Sequence, residues 1–281
     1  MANRHTPPAP RRRSRAVRRI VITLVVLVGL LVVADFAAAA IFEHEVSKRA
    51  REEFGLSDDP SVDVHGFSFL LQAISGEYEQ VDVKATGVPV KDLRDVEVEA
   101  ELHGVQAPLG DLISGTATVQ VREVKGKVRV KAGDVNRAIS QNENNVVKTF
   151  TQLSIDPVSE AQVADPNAPA PKKPDPEDST AGARICITAD VLGQSVNPCV
   201  FGIISLGEQS IAFQPERLET RGLGNTKLPA QAQQALMELL AFTVPTGALP
   251  FQVTPTAVIV EQGALVVAGI AQNVTFGGGT G

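Results

Sequence analysis

The chain has no tryptophan, one tyrosine, two methionines, two cysteines and four histidines in 281 residues. With so few aromatics the core falls to Val, Leu, Ala and Gly, and a strand-rich aliphatic interior is expected. The histidines, His5, His44, His65 and His103, are scattered and form no H-E-x-x-H pair. Two thiols without a nearby histidine fall short of a zinc set. No G-x-S-x-G elbow and no Walker loop occurs. No metal, no cofactor and no catalytic residue is therefore expected. His65 is the one candidate base, and a lone strand histidine reads as structural. Glu97, Glu99 and Glu101 share a strand face without a partner motif, so they read as solvated.

Acidic residues are absent from the first nineteen positions, where seven arginines stand at 4, 11, 12, 13, 15, 18 and 19. The remainder carries 19 basic residues against 32 acidic ones. A body that acidic repels phosphate, which excludes nucleic acid as a partner. Residues 1–19, rich in Pro and Arg, are expected to form a disordered cytoplasmic tail. Residues 20–34 follow without a charge, as a transmembrane signal-anchor or a signal peptide. Ala37 to Ala40 offers several A-x-A registers for cleavage. Fifteen helical residues rise only about 22 Å, but continuing past Asp35 to Phe42 reaches about 34 Å, enough to cross a bilayer. Retention is the preferred reading, with the N-terminus in the cytoplasm and the body on the extracytoplasmic face of the plasma membrane.

Beyond the apolar run, Ala37–Phe54 carries a drifting stripe of Phe42, Val46, Ala50 and Phe54 and predicts a helix that Gly55 stops. Strict alternation then appears. Val81, Val83 and Ala85 alternate with Asp82 and Lys84, and Val96, Val98, Ala100 and Leu102 alternate with Glu97, Glu99 and Glu101. Val119 and Val121, then Val128 and Val130, do the same among Gln and basic residues. These predict antiparallel strands with one buried face, the acidic strand pairing its charges with the basic ones. Leu109–Ile113 and Asp134–Ser140 read as short helices. Strand signals resume at Arg184–Val191, Val200–Ile204 and Ser210–Phe213, and Pro229–Phe242 reads as a helix. Phe251–Val253, Ala257–Val260 and Ala264–Ala268 complete the strands, and 277–281 forms a flexible tail.

Three stretches stand apart. Residues 156–183 hold six prolines and are expected to form a mobile loop within one domain spanning 35–276. Cys186 and Cys199 flank a segment with Gly193, Asn197 and Pro198, and in an exported protein they read as a disulfide closing a hairpin. Val64–Gln72 crowds Phe67, Phe69, Leu70 and Leu71 between two glycines. It is too short and dense for an amphipathic helix and does not alternate, so it reads as an apolar turn between strands Val62–His65 and Tyr78–Ala85. Such a turn is either a core plug or the mouth of an apolar cavity.

The order of these parts resembles the LmeA family of actinobacterial cell-envelope proteins, described as phospholipid-binding. The likeness rests on the helix opening at Asp35, on Gly66-Phe67-x-Phe69-Leu70, and on Gly76-x-Tyr78-x-x-Val81 with Gly87-Val88. It also rests on Leu249-Pro250-Phe251, followed by the hairpin with Gly263 and Leu265, so that it spans about residues 35–276. Ser68 stands where the family usually has Pro, and Leu71 where a small polar residue is common. The resemblance implies an α+β, TULIP-like fold: a long curved antiparallel β-sheet wrapped with helices around an apolar groove. It implies a phospholipid or related envelope lipid as partner, held at Phe67, Phe69, Leu70 and Ile74, with Leu249 and Phe251 closing over them. The expected function is non-catalytic lipid binding in the cell envelope, supporting envelope lipid or lipoglycan maturation. The alternative is a structural module that scaffolds or activates a membrane enzyme without binding lipid, and a solid core beneath Phe67–Leu71 favours it.

Overall fold

A computed structural model describes residues 14–114, 118–141, 150–170, 177–191, 194–207, 210–221, 230–245 and 253–277. The longest element is α1 (Ser14–Phe54), one unbroken helix of 41 residues. It runs through Asp35, so the apolar run and the expected Ala37–Phe54 helix are the same helix. Its start at Ser14 corrects the reading of 1–19 as wholly disordered. Arginine is a good helix former, and a helix already nucleated by the apolar run extends into the arginines one bond per residue. Gly55, at φ +61°, ends it in the left-handed region, with the Leu56 amide returning to the Arg51 carbonyl at 3.0 Å.

After α1 come β1 (Ser61–His65), α2 (Phe69–Ser75), β2 (Glu77–Val90), β3 (Leu93–Gln106), α3 (Leu109–Ser114), β4 (Val119–Lys131) and α4 (Ala132–Gln141). Then follow β5 (Phe150–Val158), α5 (Glu160–Ala164), β6 (Thr180–Val191), β7 (Gln194–Gly207) and β8 (Ser210–Arg221). The chain closes with α6 (Ala230–Leu240), β9 (Phe242–Pro245), β10 (Thr254–Glu261) and β11 (Ala264–Phe276). This is the expected α+β, antiparallel class. Its strands divide between two sheets, ordered β1-β2-β3-β4-β11-β10 and β5-β6-β7-β8-β9. The architecture is consistent with the tubular lipid-binding kind that the resemblance implied.

The alternating strands pair as their charges required. Glu97 lies opposite Arg129 and Glu99 opposite Lys127 across β3 and β4. Lys131 reaches Glu97 at 2.6 Å and Asp95 at 3.3 Å, and Arg129 meets Glu261 at 2.7 Å. With polar side chains on one face, the opposite face is apolar and must be covered. At one end α1 and α2 cover it, where Phe69, Ala73, Tyr78, Val105, Val121, Val124, Ala271 and Val274 pack with Ala38, Ala39 and Phe42. At the other end the second sheet does so, through Ile155, Ile185, Val200, Ile204 and Phe213 against Val258 and Val260.

Helix α4 ties the two sheets together. Asp134, buried in its first turn, accepts from the Arg94 and Asp95 amides of β3 at 2.9 Å each and from the Arg137 guanidinium at 2.8 Å. Two positions on, Asn136 brackets Leu153 of β5, donating to its carbonyl at 2.8 Å and accepting from its amide at 2.6 Å.

The 156–183 segment is only partly the loop that its prolines announced. β5 runs through Val158 and β6 begins at Thr180, so both ends are strand. Between them lies α5, capped by Ser159 with a reciprocal Gln162 bond. Its Val163 is fully buried against Cys199 and Phe201. Arg217 stacks on Phe201 at 3.8 Å and donates to the Val163 and Gln162 carbonyls at 2.9 Å each. A proline-rich composition hid one short apolar helix with a good cap. Cys186 and Cys199 face each other across β6 and β7 and form a disulfide.

Candidate functional site

Phe69–Ser75 is a helix, which corrects the turn expected there. The residues meant to exclude a helix divide between its two sides instead. Phe69, Gln72 and Ala73 turn inward and are buried, while Leu71 and Ile74 are 68% and 82% exposed. Phe67, just before it, is 76% exposed. Gly76, at φ +71°, ends the helix, and any side chain there would press on the Pro108 backbone at 3.2 Å.

The helix is started from outside. Ser68 stands at its N-cap position without bonding its own turn. Instead the Asp35 carboxylate of α1 accepts from the Ser68 hydroxyl at 2.5 Å and from the Phe69 and Leu70 amides at 3.0 and 2.8 Å. A carboxylate at the head of a helix satisfies free amides and complements the positive end of its dipole. Gln72 closes the other side, donating to the His65 carbonyl at 3.3 Å and accepting from the Glu79 amide at 2.9 Å.

The site residues predicted from sequence are thus sorted by the fold. Phe69 is 6% exposed, with its ring 5.2 Å from Phe42 and 6.4 Å from Tyr78. Leu70 and Ile74 lie on the open side of α2, and Phe67, just before it, is exposed as well. Leu249 and Phe251 lie outside the described residues. In the sequence Asp35 marks the start of a helix; nothing local shows it as the cap of α2, because its partners stand more than thirty residues away.

A second apolar feature lies between the two packed ends of the first sheet. Register aligns Val83 with Ala100 and Gly126, and Ala85 with Val98 and Val128. Val83, Val98 and Val128 belong to neither buried cluster and keep partial exposure, 39% for Val128. Charged side chains also line clefts on this sheet. One, of about 450 Å³, is bordered by His103, Arg122, Glu123, Lys125, Gln272 and Asn273. Another, of about 280 Å³, passes Lys84, Glu99, Glu101 and Lys127 and also borders Val83, Ala100 and Gly126. His65 pairs with Asp82 at 2.9 Å on the exposed side of β1 and β2. Burial raises the Asp82 carboxyl, but hydrogen bonds from Gln80 and His65 outweigh it and hold the group below its ordinary value. Among the described residues, no cluster of three or more His, Cys, Asp or Glu side chains has metal-binding geometry.

These features define an α+β protein whose apolar sheet face is shared with a helix long and apolar enough to cross a membrane. The profile of the LmeA-like phospholipid-binding family matches residues 33–270. The chain belongs to that family. No curated protein and no solved structure matches it.

Proposed function

We propose that the protein is a non-catalytic phospholipid-binding protein of the cell envelope, retained at the membrane by α1. Its body would lie on the extracytoplasmic side, supporting envelope lipid or lipoglycan maturation. Family membership supports the lipid, and the Arg-flanked apolar helix and the disulfide support the location. The observation that carries the mechanism is the stretch of apolar sheet between the two packed ends. An acyl chain laid along Val83, Val98 and Val128, with Phe67, Leu70 and Ile74 at its entrance, leaves water at a gain of about 0.8 kcal/mol per methylene. The small residues Ala100 and Gly126, in the same row as Val83, leave room for a chain to lie flat. No covalent step is required, and partition is the whole mechanism.

The test is native mass spectrometry of detergent-extracted protein. Wild type should carry phospholipid, and Val128→Asp, which sets a charge on an already exposed position, should carry less while melting normally. Unchanged lipid content in Val128→Asp removes this surface from the reading. The scaffold reading keeps one observation in its favour, the close packing of Phe42, Phe69 and Tyr78 beneath α2. It expects lipid-free wild-type protein.

A further inference from the structure

We infer that the exposed side of α2, with Phe67 before it, is seated in the outer half of the bilayer that α1 crosses. The body then stands on the membrane at two points. This rests on the reading of α1 as a retained anchor.

The direction of the chain carries the first step. Ser47 of α1 donates to the Pro60 carbonyl, Glu43 accepts from the Val64 amide, and Asp35 accepts from Ser68, Phe69 and Leu70. Each later residue of this segment meets an earlier residue of α1. The segment therefore runs back down the helix towards the membrane, and the start of α2 is level with Asp35.

Depth carries the second step. Arg18 and Arg19 mark the inner edge of the apolar run. A hydrocarbon core of about 30 Å takes up some twenty helical residues, roughly from Ile20 to Ala39. Asp35 sits about 22 Å along that path, inside the outer boundary. Whatever touches Asp35 at its own level lies below the lipid headgroups.

Chemistry agrees with that depth. From Gly66 to Gly76 there is no charged residue, and the exposed side chains are the apolar Phe67, Leu70, Leu71 and Ile74 and the polar Ser75. On α1 the neighbouring Phe36 and Ile41 are exposed as well. Several polar groups that would oppose entry are bonded within the protein. Asp35 takes the first amides of α2, Gln72 bonds His65 and Glu79, and the Ser75 hydroxyl donates to the Gln72 carbonyl. The exposed residues His65, Glu77 and Glu79 flank this stretch in the sequence. A water-facing surface gains nothing from four large apolar side chains in eight positions; a lipid surface does.

The chain has no tryptophan, so single introduced tryptophans report their own surroundings. Full-length Phe67→Trp, Ile74→Trp, Leu27→Trp and Val90→Trp are reconstituted into phosphatidylglycerol–phosphatidylethanolamine vesicles brominated on the acyl chains. Val90 lies at the far hairpin, at the other end of the fourteen-residue β2 from Glu77. We expect the Phe67, Ile74 and Leu27 reporters to be blue-shifted and to lose most of their emission to bromine, and the Val90 reporter to keep a water-like spectrum. Quenching at Leu27 with wet, unquenched Phe67 and Ile74 reporters overturns the inference and leaves the anchor standing. Blue-shifted but unquenched Phe67 and Ile74 reporters place α2 against protein instead, and overturn it too. An unquenched Leu27 reporter removes the anchor. Quenching at Phe67 and Ile74 would then still support docking of α2, and its absence would overturn both.

Discussion

Asp35 is the only charged residue between Arg19 and Glu43, and its carboxylate is consumed by one hydroxyl and two amides of a helix more than thirty residues away. A charge in an apolar run is tolerated when its hydrogen bonds are completed locally. The neighbouring phenylalanines show the same economy of position. Phe67 and Phe69 are two residues apart and meet opposite fates, one exposed and one in the core. Phe69→Ala should cost about 3–5 kcal/mol, as for a large aromatic removed from a packed interior. Ile74→Ala should cost less than about 0.5 kcal/mol, because the side chain packs on little. Urea denaturation of both variants measures the contrast, and equal losses would mean that α2 is buried on both sides. Tyr78 is different: its hydroxyl is buried without a hydrogen-bond partner among the described residues, and burial pushes its phenol up from the ordinary value. Removing an unpaired buried hydroxyl relieves a desolvation cost. Tyr78→Phe should therefore be neutral or stabilising by about 1 kcal/mol, and a destabilised variant would reveal a partner for that oxygen.

At the scale of elements, the disulfide and α5 hold one region of the second sheet, where Cys199, Phe201 and Val163 pack together. The bridge closes a sequence separation of 13 residues. Its replacement, Cys186→Ser with Cys199→Ser, should cost about 3 kcal/mol, and denatured wild-type protein should show no thiol to a labelling reagent. Val163→Ala should cost about 2 kcal/mol, although it lies in the proline-rich segment. An unchanged denaturation midpoint would return that segment to the status of a loop. On the first sheet, Glu97 holds the Lys131 ammonium above its ordinary value, against a smaller effect of burial and with help from Asp95. A raised folded value stabilises fully below the unfolded lysine pKa and is lost as pH rises through the folded one. Between about pH 8 and about pH 11, wild type should therefore lose more stability than Lys131→Gln. Elements like these were legible in the sequence wherever side-chain period and charge agreed, as with Glu97, Glu99 and their basic partners. α2 was not, because seven residues with apolar groups on both sides carry no single stripe. Its helical state depends on Asp35, Gly76 and a core to receive Phe69, none of them a property of the stretch itself. α5 was hidden by its prolines. The division into two sheets was equally unreadable, since alternation fixes which face of a strand is buried and not which strand is its neighbour.

For the whole molecule, the question is whether α1 is an address to be removed or a part of the body. A signal peptide makes no contact that the mature fold needs. Here Asp35 starts α2, and Ala38, Ala39 and Phe42 belong to the packed end of the first sheet. The family match also begins at residue 33, inside the apolar run. Cleavage in the Ala37–Ala40 stretch would remove Asp35 and part of that packing in one step. It would leave the Phe69 and Leu70 amides without their acceptor, beside exposed Phe67 and Ile74. The intact mass of membrane-extracted protein should thus include the whole of α1, and a mature N-terminus between Ala38 and Ile41 would contradict this. A second measurement separates retention from mere escape from the peptidase. A body beginning at Ile41 should melt several degrees below one beginning at Val33, both in the same detergent, because only the longer one keeps the Asp35 cap. Equal melting temperatures would show that α2 forms without Asp35, and would reduce α1 to a tether.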